Sequence, residues 1–140
     1  MGDLNSMEQI PAQTLIMGCT AGQGEDCFTD EDPVPVTLSQ GFLIGETEVT
    51  QAQREGVMGD NPSYFDGCGG SCPVERVSWH MAADFANAVS TAEGLDACYD
   101  CSGSGTSVDC DVGTNPYLCE GYRLPTEAEW EAAARCGEDT

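Results

Sequence analysis

Nine cysteines in 140 residues constrain this chain more than any other feature. They stand at Cys19, Cys27, Cys68, Cys72, Cys98, Cys101, Cys110, Cys119 and Cys136. Disulfides form and persist outside the reducing cytosol, so the count predicts an extracellular, periplasmic or cell-envelope setting. Nine is odd, so at least one thiol is left over or pairs beyond this chain, and Cys136 is the candidate. Cys68 and Cys72 flank Gly69-Gly70-Ser71, a segment flexible enough to close as a small bridged loop. Cys19 and Cys27 could close in the same way, although spacing does not fix connectivity. Cys98, Cys101, Cys110 and Cys119 also raise the question of zinc. A structural zinc site usually pairs two close-spaced couples, and only the first couple is close here. The spacing therefore favours disulfides.

Charge narrows the range of partners. The chain carries 25 acidic residues against 4 basic ones, a net charge of −21 at pH 7. Its basic residues are Arg54, Arg76, Arg123 and Arg135, with no lysine. Such a surface repels phosphate backbones and anionic lipid, so nucleic acid is excluded as a partner class. Solubility and weak cation binding are favoured instead. Glu25-Asp26 and Asp30-Glu31-Asp32 concentrate carboxylates, but no shaped calcium loop surrounds them. No segment approaches the ~18 apolar residues that a membrane span requires. The first residues lack the basic and apolar regions of a signal peptide. Met1-Gly2 with Ser6 loosely matches an acylation pattern, which a cysteine-rich acidic domain does not suit.

Local patterns predict short strands, three helices and long loops, an α+β domain. Residues 13–18 read as a strand, 19–35 as a loop. Residues 36–38 and 42–44 read as two strands joined by a turn at 39–41. Thr50 and Gln53 form a capping box that opens a helix ending by Gly59. Ser78 caps the clearest helix, where Ala82, Phe85, Ala86 and Val89 make one apolar face and Gly94 supplies a stop. Residues 98–119 show no periodicity and read as an insertion loop. Pro125 and the box Thr126/Glu129 open the last helix, with Arg135 near its end and Gly137 to stop it. Trp79 and Trp130 are expected as apolar anchors in the core.

Four segments arrive in one order. They are Ile10-Pro11-Ala12 with Met17-Gly18; GETEVT at 45–50; CPVERVSW at 72–79; and YRLPTEAEWE at 122–131, continuing as Ala132-Ala133-Ala134-Arg135. This set resembles the formylglycine-generating enzyme (sulfatase-modifying factor) family, with the last segment its most recognisable stretch. The resemblance covers roughly residues 10–137. It implies a variant of the C-type-lectin-like fold, loop-rich and incomplete in this chain. The implied organisation is an N-terminal extension over 1–9 and the N-terminal portion of the family domain over 10–140, with a cysteine-rich insertion at about 98–119.

What the resemblance implies about chemistry lies outside these residues. The family oxidises a cysteine of a protein or peptide substrate to formylglycine, using oxygen and a copper ion held by two cysteines. Two thiolates suit Cu(I), because soft sulfur selects a soft metal. That cysteine pair and the family's structural calcium sites belong to its C-terminal half. No residue here receives a catalytic, cofactor-binding or metal role, and this chain alone is expected to be inactive. His80, the single histidine, lacks a paired ligand motif and reads as a surface or core residue. Arg123 and the glutamates of the last helix read as ion-pairing groups that hold the fold. Two readings of function stand. One is the front part of a formylglycine-generating oxidase. The other is a non-catalytic extracellular binding or recognition module on the same fold, since fold does not fix function.

Overall fold

The structure, a computed structural model, describes residues 7–17, 34–112 and 115–134. They fall into two compact units. The smaller contains residues 7–44 and the chain from 125 onward; the larger is built from residues 45–124. Cys19, Cys27, Arg135, Cys136, Gly137 and the acidic pairs at 25–32, for which the residues set expectations, lie outside the described residues.

In the smaller unit, strands β1 (Met7–Ile10) and β2 (Gln13–Met17) are followed by β3 (Val34–Leu38) and β4 (Phe42–Gly45). The predicted turn at 39–41 does not join β3 to β4 as a hairpin. β2 pairs with β3 in antiparallel register, from Gln13 opposite Leu38 to Met17 opposite Val34, while β4 pairs with β1. The two ladders follow one another along the same pair of chain segments, interrupted at Pro11 and at 39–41. Pro11 has no N–H to donate to a ladder, which gives a physical reason for the break. Gly41 fits closely there: a Cβ on it would stand 3.0 Å from the Ile10 carbonyl oxygen. Thr14 and Thr37 face each other with hydroxyls 3.1 Å apart.

Helix α3 (Glu127–Ala134) completes this unit. Its capping box forms as predicted: Thr126 Oγ1 accepts the Glu129 N–H and Glu129 Oε1 accepts the Thr126 N–H. Ala128 and Ala132 are one helical turn apart and pack with Leu15 and Leu38. Trp130 lies two residues from each, about 200° round the helix at ~100° per residue. It is 61% exposed, and the expectation that it anchors the core is wrong.

The larger unit contains α1 (Gln51–Met58), α2 (Trp79–Ala92), β5 (Tyr99–Ser102) and β6 (Asp109–Val112). Thr50 caps α1 through the predicted box, and left-handed Gly59 ends it. Ser78 Oγ accepts the Met81 N–H at the start of α2. The predicted stripe holds at Phe85, Ala86 and Val89, which are buried, while Ala82 is half-buried. Met81 and Ala83 are buried as well and pack with Val108 and Cys110 of the following region. Trp79, the first residue of α2, is 44% exposed, again contrary to the core expectation. It stands edge-on to His80 and Tyr99.

Residues 98–112, expected as part of an insertion loop, instead contain regular structure. β5 and β6 form an antiparallel hairpin with Cys101 opposite Cys110. Bridges Cys98–Cys119 and Cys101–Cys110 staple it. Asp100, Asp109 and Asp111 do alternate with Tyr99, Cys101, Cys110 and Val112, but strands of four residues are too short for that alternation to stand out. Helix α2 holds the hairpin from one face. Asn87 donates Nδ2 to the Tyr99 carbonyl and accepts the Tyr99 N–H on Oδ1. One heptad earlier, His80 Nδ1 accepts the Cys110 N–H at 2.9 Å. Asp109 Oδ1 lies 3.5 Å from the same nitrogen, but a nitrogen that accepts an N–H has no proton to offer, so this is not an ion pair. His80 is therefore a structural acceptor.

Candidate functional site

The most elaborated hydrogen-bond network in the larger unit surrounds residues 61–76. It begins at Gln51, a helix residue only 2% exposed. Its side-chain amide donates to the carbonyls of Phe65 (3.2 Å) and Pro73 (3.3 Å), and its Oε1 accepts from Asn61 Nδ2 at 2.9 Å. Asn61 Oδ1 in turn accepts the Ser63 N–H, an Asx-type turn, and Ser63 Oγ accepts the Glu75 N–H. A buried amide with three partners is satisfied, so the network is a rigid brace.

Glu75 uses this brace. Its two oxygens accept the adjacent N–H groups of Tyr64 and Phe65, each at 2.9 Å. A charged acceptor makes such bonds short and strong. Arg76, the next residue, has a left-handed backbone with φ of 61°. A non-glycine residue rarely adopts it, and the cost is of order 1 kcal/mol or more. Glu75 thus fixes the Tyr64–Phe65 backbone just before a strained turn. The two rings meet edge to face at 4.9 Å and point outward, 67% and 65% exposed.

The loop beyond them is tied to α1. Cys68 and Cys72 are bridged, as their spacing suggested. The Gln51 N–H donates to the Cys72 carbonyl (2.8 Å) and the Ala52 N–H to the Gly70 carbonyl (3.0 Å). With Thr50 Oγ1 accepting the Gln53 N–H, the first amides of α1 are all satisfied, two of them by this loop. A Cβ on Gly70 would stand 3.0 Å from the Ala52 Cβ, so glycine permits the approach. Arg54 is 3% exposed and pairs with Asp60 through Nε (3.0 Å) and its second terminal nitrogen (3.4 Å).

Sequence reading singled out no site residue and missed Gln51, Ser63 and Glu75 as a unit. The signals were slight: a glutamine inside a capping segment, and a glutamate in a motif that resemblance alone highlighted. Of the groups that it weighed, the structure gives His80 and the four hairpin cysteines structural roles. Among the described residues no three or more His, Cys, Asp or Glu side chains cluster as a metal site, and no helix among them is long and apolar enough to cross a membrane. Arg123 donates to the Leu124 carbonyl and lies 5.5 Å from the Tyr117 ring centre.

An α+β chain with paired disulfides and a braced aromatic loop defines the class, and its sequence defines the family. The chain belongs to the sulfatase-modifying factor family: the profile of the sulfatase-modifying factor enzyme 1-like domain matches residues 2–140. It is 40% identical over 133 residues to chaperone protein LppX of Paenibacillus barcinonensis, covering 89% of this chain and 45% of that protein. Treponema denticola variable protein 1 has a similar fold, with a TM-score of 0.77 and 32% identity over 98% of this chain and 56% of that one. CarF gives a TM-score of 0.68 at 26% identity, over 95% of this chain and 57% of its own. The chain thus spans about half the length of the proteins it matches.

Proposed function

We propose that this region is the recognition portion of a sulfatase-modifying-factor-like protein of an oxidising, extracytoplasmic compartment, where Tyr64 and Phe65 bind an extended polypeptide. One observation carries the reading: a single carboxylate fixes the backbone of two adjacent aromatic residues whose rings remain mostly in water. Exposed rings contribute little to the fold. Rings held in place lose little entropy on binding, which is what a contact surface requires. Asp66, the next residue after Phe65, is exposed, and the net charge is −21. Both favour a partner with basic side chains, which can also stack on the rings. The three described disulfides support the compartment. The name chaperone carried by the Paenibacillus relative supports a polypeptide partner.

Selecting peptides from a random displayed library on the intact protein tests this reading. The selected peptides should be rich in basic residues, and a Tyr64→Ala/Phe65→Ala variant should lose them. Recovery of the same peptides by both proteins ends the recognition reading.

Family membership favours a second reading, that the whole protein oxidises a substrate cysteine to formylglycine with copper and oxygen. The six described cysteines do not fit the metal, because each is joined in a disulfide and offers no thiolate. Copper-holding thiolates and calcium ligands would come from outside the described residues, which would then help to hold the substrate. Copper-loaded intact protein should convert the thiol of a cysteine-containing peptide to an aldehyde, seen as a mass loss. Absence of conversion with copper bound removes the oxidase reading for that peptide.

A further inference from the structure

We propose that Cys68–Cys72 is a redox-exchangeable bridge, opened by small thiols while the two hairpin bridges stay closed, and that opening it releases the loop that steadies Tyr64–Phe65. The inference concerns regulation of the surface proposed above and rests on that reading only for its biological meaning; its chemistry stands apart from any peptide partner.

Access distinguishes the bridges. Cys68 is exposed and Cys72 half-buried, on an open loop with Gly67, Gly69 and Gly70. In the hairpin each bridge has a deeply buried member, Cys98 at 4% and Cys110 at 2% exposure. An incoming thiolate attacks one sulfur and expels the other as a thiolate. Attack on half-buried Cys101 or Cys119 would expel Cys110 or Cys98 as a charge in an apolar interior, which burial disfavours. Attack on Cys68 meets neither obstacle. A small-molecule thiolate bonds to Cys68 Sγ and Cys72 leaves as a thiolate. A second small thiolate then bonds to the sulfur of the first and releases Cys68. Two thiols are oxidised to one disulfide, and the bridge takes up two electrons and, as pH dictates, two protons.

Opening has a structural consequence. The loop's regular contacts are the Cys68 N–H to the Phe65 carbonyl, the Cys72 N–H to the Gly69 carbonyl, and the carbonyls of Gly70 and Cys72 on the first amides of α1. Gly69 and Gly70, inside the ring, regain much backbone freedom when it opens. Gly69, at φ of 119°, holds a conformation that only glycine adopts readily. The Ala52 and Gln51 amides lose their fixed acceptors, and the Phe65 carbonyl loses one of its donors.

The test is a graded reduction of the intact protein with glutathione after free thiols are blocked with iodoacetamide. Newly opened cysteines are trapped with N-ethylmaleimide and mapped by mass spectrometry, with amide hydrogen exchange followed in parallel. Cys68 and Cys72 should be trapped about tenfold or more faster than Cys98, Cys101, Cys110 and Cys119, as access dictates. Exchange at Gln51 and Ala52 should rise together with the trapping, and a Cys68→Ser/Cys72→Ser variant should show that faster exchange without reductant. Simultaneous or earlier opening of the hairpin bridges overturns the proposal, as does unchanged exchange at Gln51 and Ala52 once Cys68 and Cys72 are trapped. Neither readout involves peptide capture, so failure here and failure of the recognition reading are separable.

Discussion

Two disulfide-bearing regions of the larger unit solve different problems. The hairpin at 98–119 turns its bridges inward. Cys98 and Cys110 are buried, and α2 holds both strands through Asn87 and His80. The loop at 61–76 turns its bridge outward and invests its polar network in fixing two exposed rings. Cysteines close in sequence can thus belong to a core or to a surface. The difference lies in whether a helix covers them.

The largest expected effect is on the hairpin. Cys98→Ser/Cys119→Ser opens a ring of separation 21 and should cost about 3 kcal/mol of chain entropy. A lowered denaturation midpoint would show it; a loss as small as that of the loop bridge would break the comparison. Cys68→Ser/Cys72→Ser opens a ring of separation 4 and should cost about 2 kcal/mol or less by the same relation. Asn87→Ala removes two bonds to the half-buried Tyr99 backbone, for about 1 kcal/mol. If α2 does not hold the hairpin, protection of the 99–112 amides will survive that change.

Phe65→Ala should alter stability by no more than about 0.5 kcal/mol, because the ring is exposed, yet it should abolish selection of basic peptides. A large stability loss would mean that the ring is part of the core after all.

The smallest effect is a pH limb. Gly121 and Tyr122 lie against the end of α2, where the Tyr122 N–H donates to Ser90 Oγ at 2.7 Å. Burial, then the hydrogen bond and charge of Glu93, push the Tyr122 phenol up to about 12. An unfolded phenol titrates near ~10. The folded chain keeps its proton longer, so this contribution is intact below pH ~10 and is lost as pH rises toward 12. Tyr122→Phe should flatten that part of the stability curve.

Several features were legible in the residues. Caps at Thr50, Ser78 and Thr126 were readable because capping depends on side chains three positions apart. The Cys68–Cys72 loop was readable because glycines separate its ends. The family was readable from four ordered segments. The hairpin was not, because strands of four residues are too short for their alternation to stand out from a Ser-, Gly- and Asp-rich stretch. Trp79 and Trp130 misled because size suggests burial, while helix phase decides it. The turn at 39–41 misled because a local signal cannot name a strand's partner.

Sequence by itself determined the helix starts, the α+β class, the acidic surface and the family. Tertiary structure alone decided how the four hairpin cysteines pair, which strand each strand meets, and that Gln51, Ser63 and Glu75 converge to hold Tyr64 and Phe65. The physical reason is range. Caps and periods act within one turn of chain, whereas pairing and bracing join residues 9 to 30 positions apart, whose approach only the folded chain defines.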